Sequence, residues 1–116
     1  MGLISLSKGE NGAAHYNRIF LKILREVLEE VFGKQAVGVL LKHMERRYNL
    51  RWEETPENPE LFAEFLKKVL GGSSSVLESV IVQRLRAELD IKEGERLTDI
   101  KKMRRIFIER ERQQIS

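Results

Sequence analysis

The stretch from Met44 to Leu70, MERRYNLRWEETPENPELFAEFLKKVL, constrains the fold more than any other part of this chain. It holds both prolines of the sequence, Pro56 and Pro59. Asn58-Pro59-Glu60 reads as a helix start. An Asn can cap free N–H groups, and Pro is tolerated at the first helical position because its missing N–H had no partner there. Glu60 then meets the positive end of the helix dipole. Tyr48-Asn49 reads as a helix end, since Asn tolerates the left-handed backbone that ends many helices. Thr55-Pro56 disfavours α-helix immediately before Pro56. The stretch therefore predicts one helix, a short connection and a second helix.

Apolar spacing extends this reading along the chain. A first helix is expected from His15 to Phe32, with Ile19, Phe20, Ile23, Leu24, Val27, Leu28, Val31 and Phe32 in two adjacent apolar rows. Gly33 stops it. A second runs from Lys34 to Tyr48 with Val37, Leu40, Leu41, Met44 and Tyr48 inward. A third runs from Pro59 to Leu70 with rows Leu61, Phe65, Val69 and Phe62, Leu66, Leu70. Gly71-Gly72 ends it. A fourth begins at Ser75, whose spacing to Glu78 is that of a capping box. It carries Leu77, Val80, Ile81, Leu85 and Leu89. Asp90 to Arg96 is a polar turn around Gly94. Thr98 is placed to cap a fifth helix reaching Gln113.

The expected fold is all-α: a compact antiparallel four-helix bundle-like domain with an additional amphipathic basic C-terminal helix. Residues 1–14 are expected as a flexible N-terminal arm, where Leu3, Ile4 and Leu6 offer only a minor packing edge. The helical domain spans 15–90, the turn 91–96 and the C-terminal helix 97–116. The chain of 116 residues is long enough to bury one core.

Composition removes several functions. Cysteine is absent, which excludes disulfides and thiolate zinc sites. No apolar run approaches the ~20 residues of a membrane span. Leu6 stands where a myristoylation signal needs Ser or Thr. With 34% charged residues, the profile suits a cytoplasmic protein of thermophile type. Residues 1–91 hold 13 Lys and Arg against 13 Asp and Glu, whereas residues 92–116 hold 8 against 5. An electrostatic partner is therefore expected at the C-terminus.

No catalytic, metal or cofactor constellation stands out, and the chain is expected not to be an enzyme. His15 and His43 lie on different helices without ligand spacing. Gly71-Gly72-Ser73-Ser74-Ser75 lacks the lysine of a phosphate loop, so it reads as one helix end followed by another start. No serine has a nucleophile-elbow context.

In order, Glu45-Arg46-Arg47-Tyr48-Asn49-Leu50, Pro56-Glu57-Asn58-Pro59-Glu60-Leu61-Phe62, Gly71-Gly72 and Val76-Leu77-Glu78-Ser79-Val80-Ile81 resemble a family of small archaeal domains. The family is catalogued as Nitrososphaera output domain, type five, and the likeness covers roughly residues 20–90. Asn49 departs from it where such domains carry Gly, and Val69-Leu70 where they carry an aromatic. The resemblance implies an all-helical regulatory or signal-output module of an archaeon. It implies no assigned reaction, cofactor or ligand residues.

Two interaction surfaces follow from the residues. Trp52 lies in the connection, either as a lid over the bundle end or as an anchor for a protein partner. Leu97, Ile100, Met103, Phe107 and Ile108 form an apolar stripe on the C-terminal helix. If four helices already close the core, that stripe suits a homodimer contact; otherwise the C-terminal helix folds back over its own bundle and the chain is a monomer. The alternative is nucleic acid bound by Lys101, Lys102, Arg104, Arg105, Arg110 and Arg112. Interleaved Asp99, Glu109 and Glu111 speak against it, as does the lack of an aromatic stacking platform.

Overall fold

The computed structural model describes residues 2–115, with side chains over residues 12–113. The packing of Leu3, Ile4 and Leu6 lies outside the described side chains. Five α-helices follow one another: α1 (Gly2–Phe32), α2 (Lys34–Tyr48), α3 (Pro59–Leu70), α4 (Ser74–Leu89) and α5 (Ile100–Ile115). Short 3-10 turns occupy Trp52–Glu57, Gly71–Ser73 and Leu97–Asp99. The fold is all-α and bundle-like, as expected.

The predicted punctuation is mostly in place. Asn49 adopts the left-handed conformation at φ 51°, and Pro59 opens α3, although Asn58 makes no side-chain cap and its Nδ2 donates instead to the Glu54 carbonyl at 2.9 Å. Gly33 has φ 87° and separates α1 from α2. Some capping details differ. The Ser75 hydroxyl donates to the Gly72 carbonyl at 3.1 Å, and α4 begins one residue earlier, at Ser74. Glu78 does not close a capping box. Its Oε1 accepts the Leu97 N–H at 2.8 Å and holds the approach to α5. The capping role given to Thr98 belongs to Asp99, which accepts from the backbone N–H groups of Glu95 and Arg96 at 2.9 and 3.0 Å. Those two N–H groups hold its carboxyl below the usual carboxylate range. A depressed folded value means stability present at neutral pH and lost as pH falls through the Asp99 titration. Asp99→Ala should therefore lower stability by about 0.5–2 kcal/mol at neutral pH. Denaturant titrations should also show a shallower decline toward acid.

The larger correction concerns α5. It is not surplus to a closed four-helix core. The helix packs along α1, which also meets α2 and α4. Leu97, Ile100 and Met103 are fully buried, Phe107 is 7% exposed, and Ile108 is half-buried. They face Tyr16 and its neighbours. The Tyr16 and Phe107 ring centroids are 6.1 Å apart, and the Tyr16 hydroxyl donates to the Ile100 carbonyl at 3.3 Å. Burial pushes the Tyr16 phenol well above its usual range, against a smaller pull from Arg104. The stripe assigned to a dimer contact is thus core of the same chain. The physical reason is α1. Helix extends from Gly2 through residues where an arm over 1–14 was expected, and the surface that α5 covers centres on His15, Tyr16 and Asn17 of this helix. At Gly12, a Cβ would stand 3.5 Å from Cγ2 of Ile108, so the two helices approach closely there.

Two side chains fasten α5 to α4. Arg110 donates through Nη1 to the Asp90 carbonyl at 2.9 Å and through Nη2 to the Leu89 carbonyl. These are among the carbonyls that a helix end leaves without intrahelical partners. Asp90 itself ends α4 in the left-handed conformation at φ 54°. Gly94 then turns the chain at φ 115°, and an added Cβ would lie 2.6 Å from Met103 Sδ. Gly94→Ala should cost about 1–3 kcal/mol from backbone strain alone, read as a lower thermal midpoint.

Candidate interaction surfaces

The core leaves α2 on the outside. Of its 15 residues only Val37 and Met44 are buried. Leu40, Leu41 and Tyr48 are half-buried against the core, as their spacing predicts. The rest of the helix faces solvent, and each flank borders a cleft.

Trp52 stands on one flank, in the 3-10 turn. Thr55 is fully buried there, and its hydroxyl donates to the Trp52 carbonyl at 2.8 Å. The Arg51 N–H donates to Glu54 Oε1 at 2.9 Å. These bonds set the turn in place of the α-helix that Pro56 disfavours. The Trp52 ring is half-buried, packs on the core, and has the Arg25 guanidinium 4.9 Å from its centroid. Beside it lies a small cleft of about 210 Å³ bordered by Leu41, Lys42, Glu45 and Arg51. The ring therefore covers part of the bundle end and also borders an open cleft. Both readings of Trp52 retain a structural basis.

The other flank of α2 meets α3 in a larger groove of about 880 Å³. Phe65 forms its floor and is buried. The Tyr48 ring stands edge-on to Phe65 at 5.7 Å, and His43 lies 5.9 Å from it. Val39, 70% exposed, and Val69, 41% exposed, border the groove. Arg46, Arg47 and Lys68 supply positive charge, and no carboxylate is among the lining residues. The apolar stripes of the sequence do not mark this groove. Val39 lies off the inward stripe of α2, yet Val39, His43 and Arg46 share a helical face by their spacing of four and three. That pairing of an off-stripe valine with basic neighbours was the available signal. Val69 and Val31 were expected inward. Val31 is 57% exposed, because the buried arc of α1 is filled by Val27, Leu28 and their neighbours. On α3 the buried arc is Phe62, Phe65 and Leu66, which leaves Val69 at its edge.

The basic residues of α5 are mostly engaged within the chain. Lys101 Nζ lies 3.2 Å from Glu60, and Arg104 pairs with Glu57 at 3.7 Å and reaches Asn17 at 3.4 Å. The backbone N–H of Glu60 and then Lys101 hold the Glu60 carboxyl low. Arg112 is 3.9 Å from Glu109, and Arg110 holds the end of α4. Lys102 and Arg105 are exposed. The stripe and the charges of α5 thus serve packing first.

His15 also has a structural setting. Its Nδ1–H donates to Glu111 Oε2 at 3.0 Å, and its ring meets Phe107 edge-on at 5.3 Å. Among the described residues, no group of three or more acidic, histidine or cysteine side chains is placed to hold a metal ion. No helix of the described residues is long and apolar enough to cross a membrane. No family model matches the chain, and neither a curated protein nor a solved structure matches it.

Proposed function

We propose that the protein is a non-enzymatic interaction module that binds a protein partner through the outward surface of α2, in a regulatory or signal-output role. The observation that supports this is the division of labour between helices. Leu97 of the preceding turn and Ile100, Met103 and Phe107 of α5 are spent on the core, while α2 buries only two residues and borders a cleft on each flank. The resemblance to archaeal output domains supports the regulatory part of the reading, and a cytoplasmic setting fits the cysteine-free, charge-rich composition. Trp52 is then one edge of the surface, a residue type enriched where binding energy concentrates.

Nucleic acid is the weaker reading. Steep salt dependence needs many phosphate contacts made together. On α5, Lys101, Arg104 and Arg112 have carboxylate partners, and Arg110 is committed to carbonyls. Phe65 is too deeply buried to stack a base.

Photo-crosslinking residues placed singly at Lys42 and at Val39, in the full-length chain and native lysate, test the reading. The expected result is a discrete protein adduct that survives nuclease. Its yield should fall only modestly between about 50 and 200 mM salt, a range over which binding through many phosphate contacts drops by roughly a thousandfold or more. A nuclease-sensitive adduct, or no adduct from either position, would overturn it.

A further inference from the structure

The groove between α2 and α3 has features that specify an occupant more narrowly. Its cations come from both helices: Arg46 and Arg47 from the last turn of α2, Lys68 from the last turn of α3. Basic residues there suit the negative ends of the helix dipoles, which is reason enough for them in an isolated helix. Two further observations exceed that role. The three converge on one groove with no carboxylate in its lining, although 18 acidic residues are available in the chain. The same groove is bordered by Val39 and Val69, two of the four most exposed large apolar side chains among the described residues.

We infer that this groove docks an acidic amphipathic helix of a protein partner, an inference that rests on the interaction-module reading above. The dimensions fit. From Val39 to Tyr48 the α2 face runs nine steps, roughly 14 Å at about 1.5 Å each, the length of two to three helical turns. A helix laid in such a groove places apolar residues at i, i+4 and i+7 toward Val39, Leu40 and Val69. Its carboxylates then fall against Arg46, Arg47 and Lys68. Arg is well suited to this contact because its planar fork can meet a carboxylate with two hydrogen bonds. Exposed valines have no role in gripping a phosphate backbone, and the chemistry therefore favours a helix that is apolar on one face and acidic at its flanks. The complementary charges raise the association rate and select the partner, while the apolar contact supplies most of the hold.

The test uses the intact chain as bait for a displayed library of helical peptides of about 14 residues. The peptides keep an apolar stripe, and their flanking positions vary between acidic, basic and neutral residues. Selection should enrich acidic flanks. Arg46→Glu with Lys68→Glu should weaken the enriched peptides by tenfold or more, as should Val39→Asp. Arg105→Glu on α5 should leave binding unchanged. All four positions are exposed, so the fold is not at stake. Neutral or basic winners, no enrichment, or winners indifferent to the groove variants would overturn the inference. If these fail while the crosslinks at Lys42 or Val39 still capture a protein, only the acidic-helix assignment falls. If both fail, the interaction-module reading falls with it.

Discussion

A chain ending at Lys92 is expected not to fold. Removing the residues beyond it takes away Leu97, Ile100, Met103 and Phe107, of which only Phe107 retains measurable exposure, at 7%. Burying one such side chain contributes about 1.5–3 kcal/mol, so four contribute roughly 6–12 kcal/mol. That is comparable with the whole stability of a typical domain, about 5–15 kcal/mol. The truncation also uncovers Tyr16, which is fully buried and meets Ile100 and Phe107. It removes Arg110 from the Leu89 and Asp90 carbonyls, and Leu97 from Glu78. Circular dichroism should show loss of a cooperative melt, and the amide spectrum should collapse toward random-coil dispersion. A stable, cooperatively melting fragment would show that α1 to α4 close a core by themselves. The dimer contact expected of the α5 stripe would then regain its basis.

Phe62→Ala should cost about 3–5 kcal/mol, the usual range for truncating a buried aromatic ring. Phe62 is 1% exposed and sits in α3 within the central apolar cluster, so the cavity has no solvent to fill it. Trp52→Ala should cost clearly less. Its ring is half-buried, and the Arg25 guanidinium on it remains free to turn to Glu29, already 3.5 Å away. Paired denaturant titrations of the two variants give the comparison directly. If Trp52→Ala proves as damaging as Phe62→Ala, the ring is a structural lid and its part in the α2 surface is lost. If the fold survives and the crosslink at Lys42 disappears, Trp52 anchors the partner.

The elements legible in the sequence were those set by local chemistry. Helices α2 and α3 have the predicted ends, because Asn49, Pro59 and Gly71 act through their own backbones or through one turn of chain. The inward residues of α1, α3 and α4 were mostly legible too, since burial follows a helical period that is visible in any apolar pattern. Val82 was missed because it lies beside the expected α4 stripe, yet it is 1% exposed. The candidate surface was legible only at Trp52, whose exposure in a connection is a local matter.

The rest depended on which helix lies against which. An apolar stripe such as Leu97 to Phe107 states that it must be covered and does not state by what. Its covering by α1 comes from tertiary contacts far apart in sequence, among them Tyr16 with Ile100 and His15 with Glu111. The same contacts turned Lys101, Arg104 and Arg110 from candidate phosphate ligands into fasteners. They also turned Glu78 from a cap on its own helix into an acceptor for Leu97. The α2–α3 groove exists only because the two helices are set side by side with Phe65 between them. Periodicity and capping are properties of neighbouring residues, so the sequence alone determined an all-helical chain and most of its buried faces. Covering, pairing and the empty spaces between helices are properties of distant ones, and only the assembled core decided them.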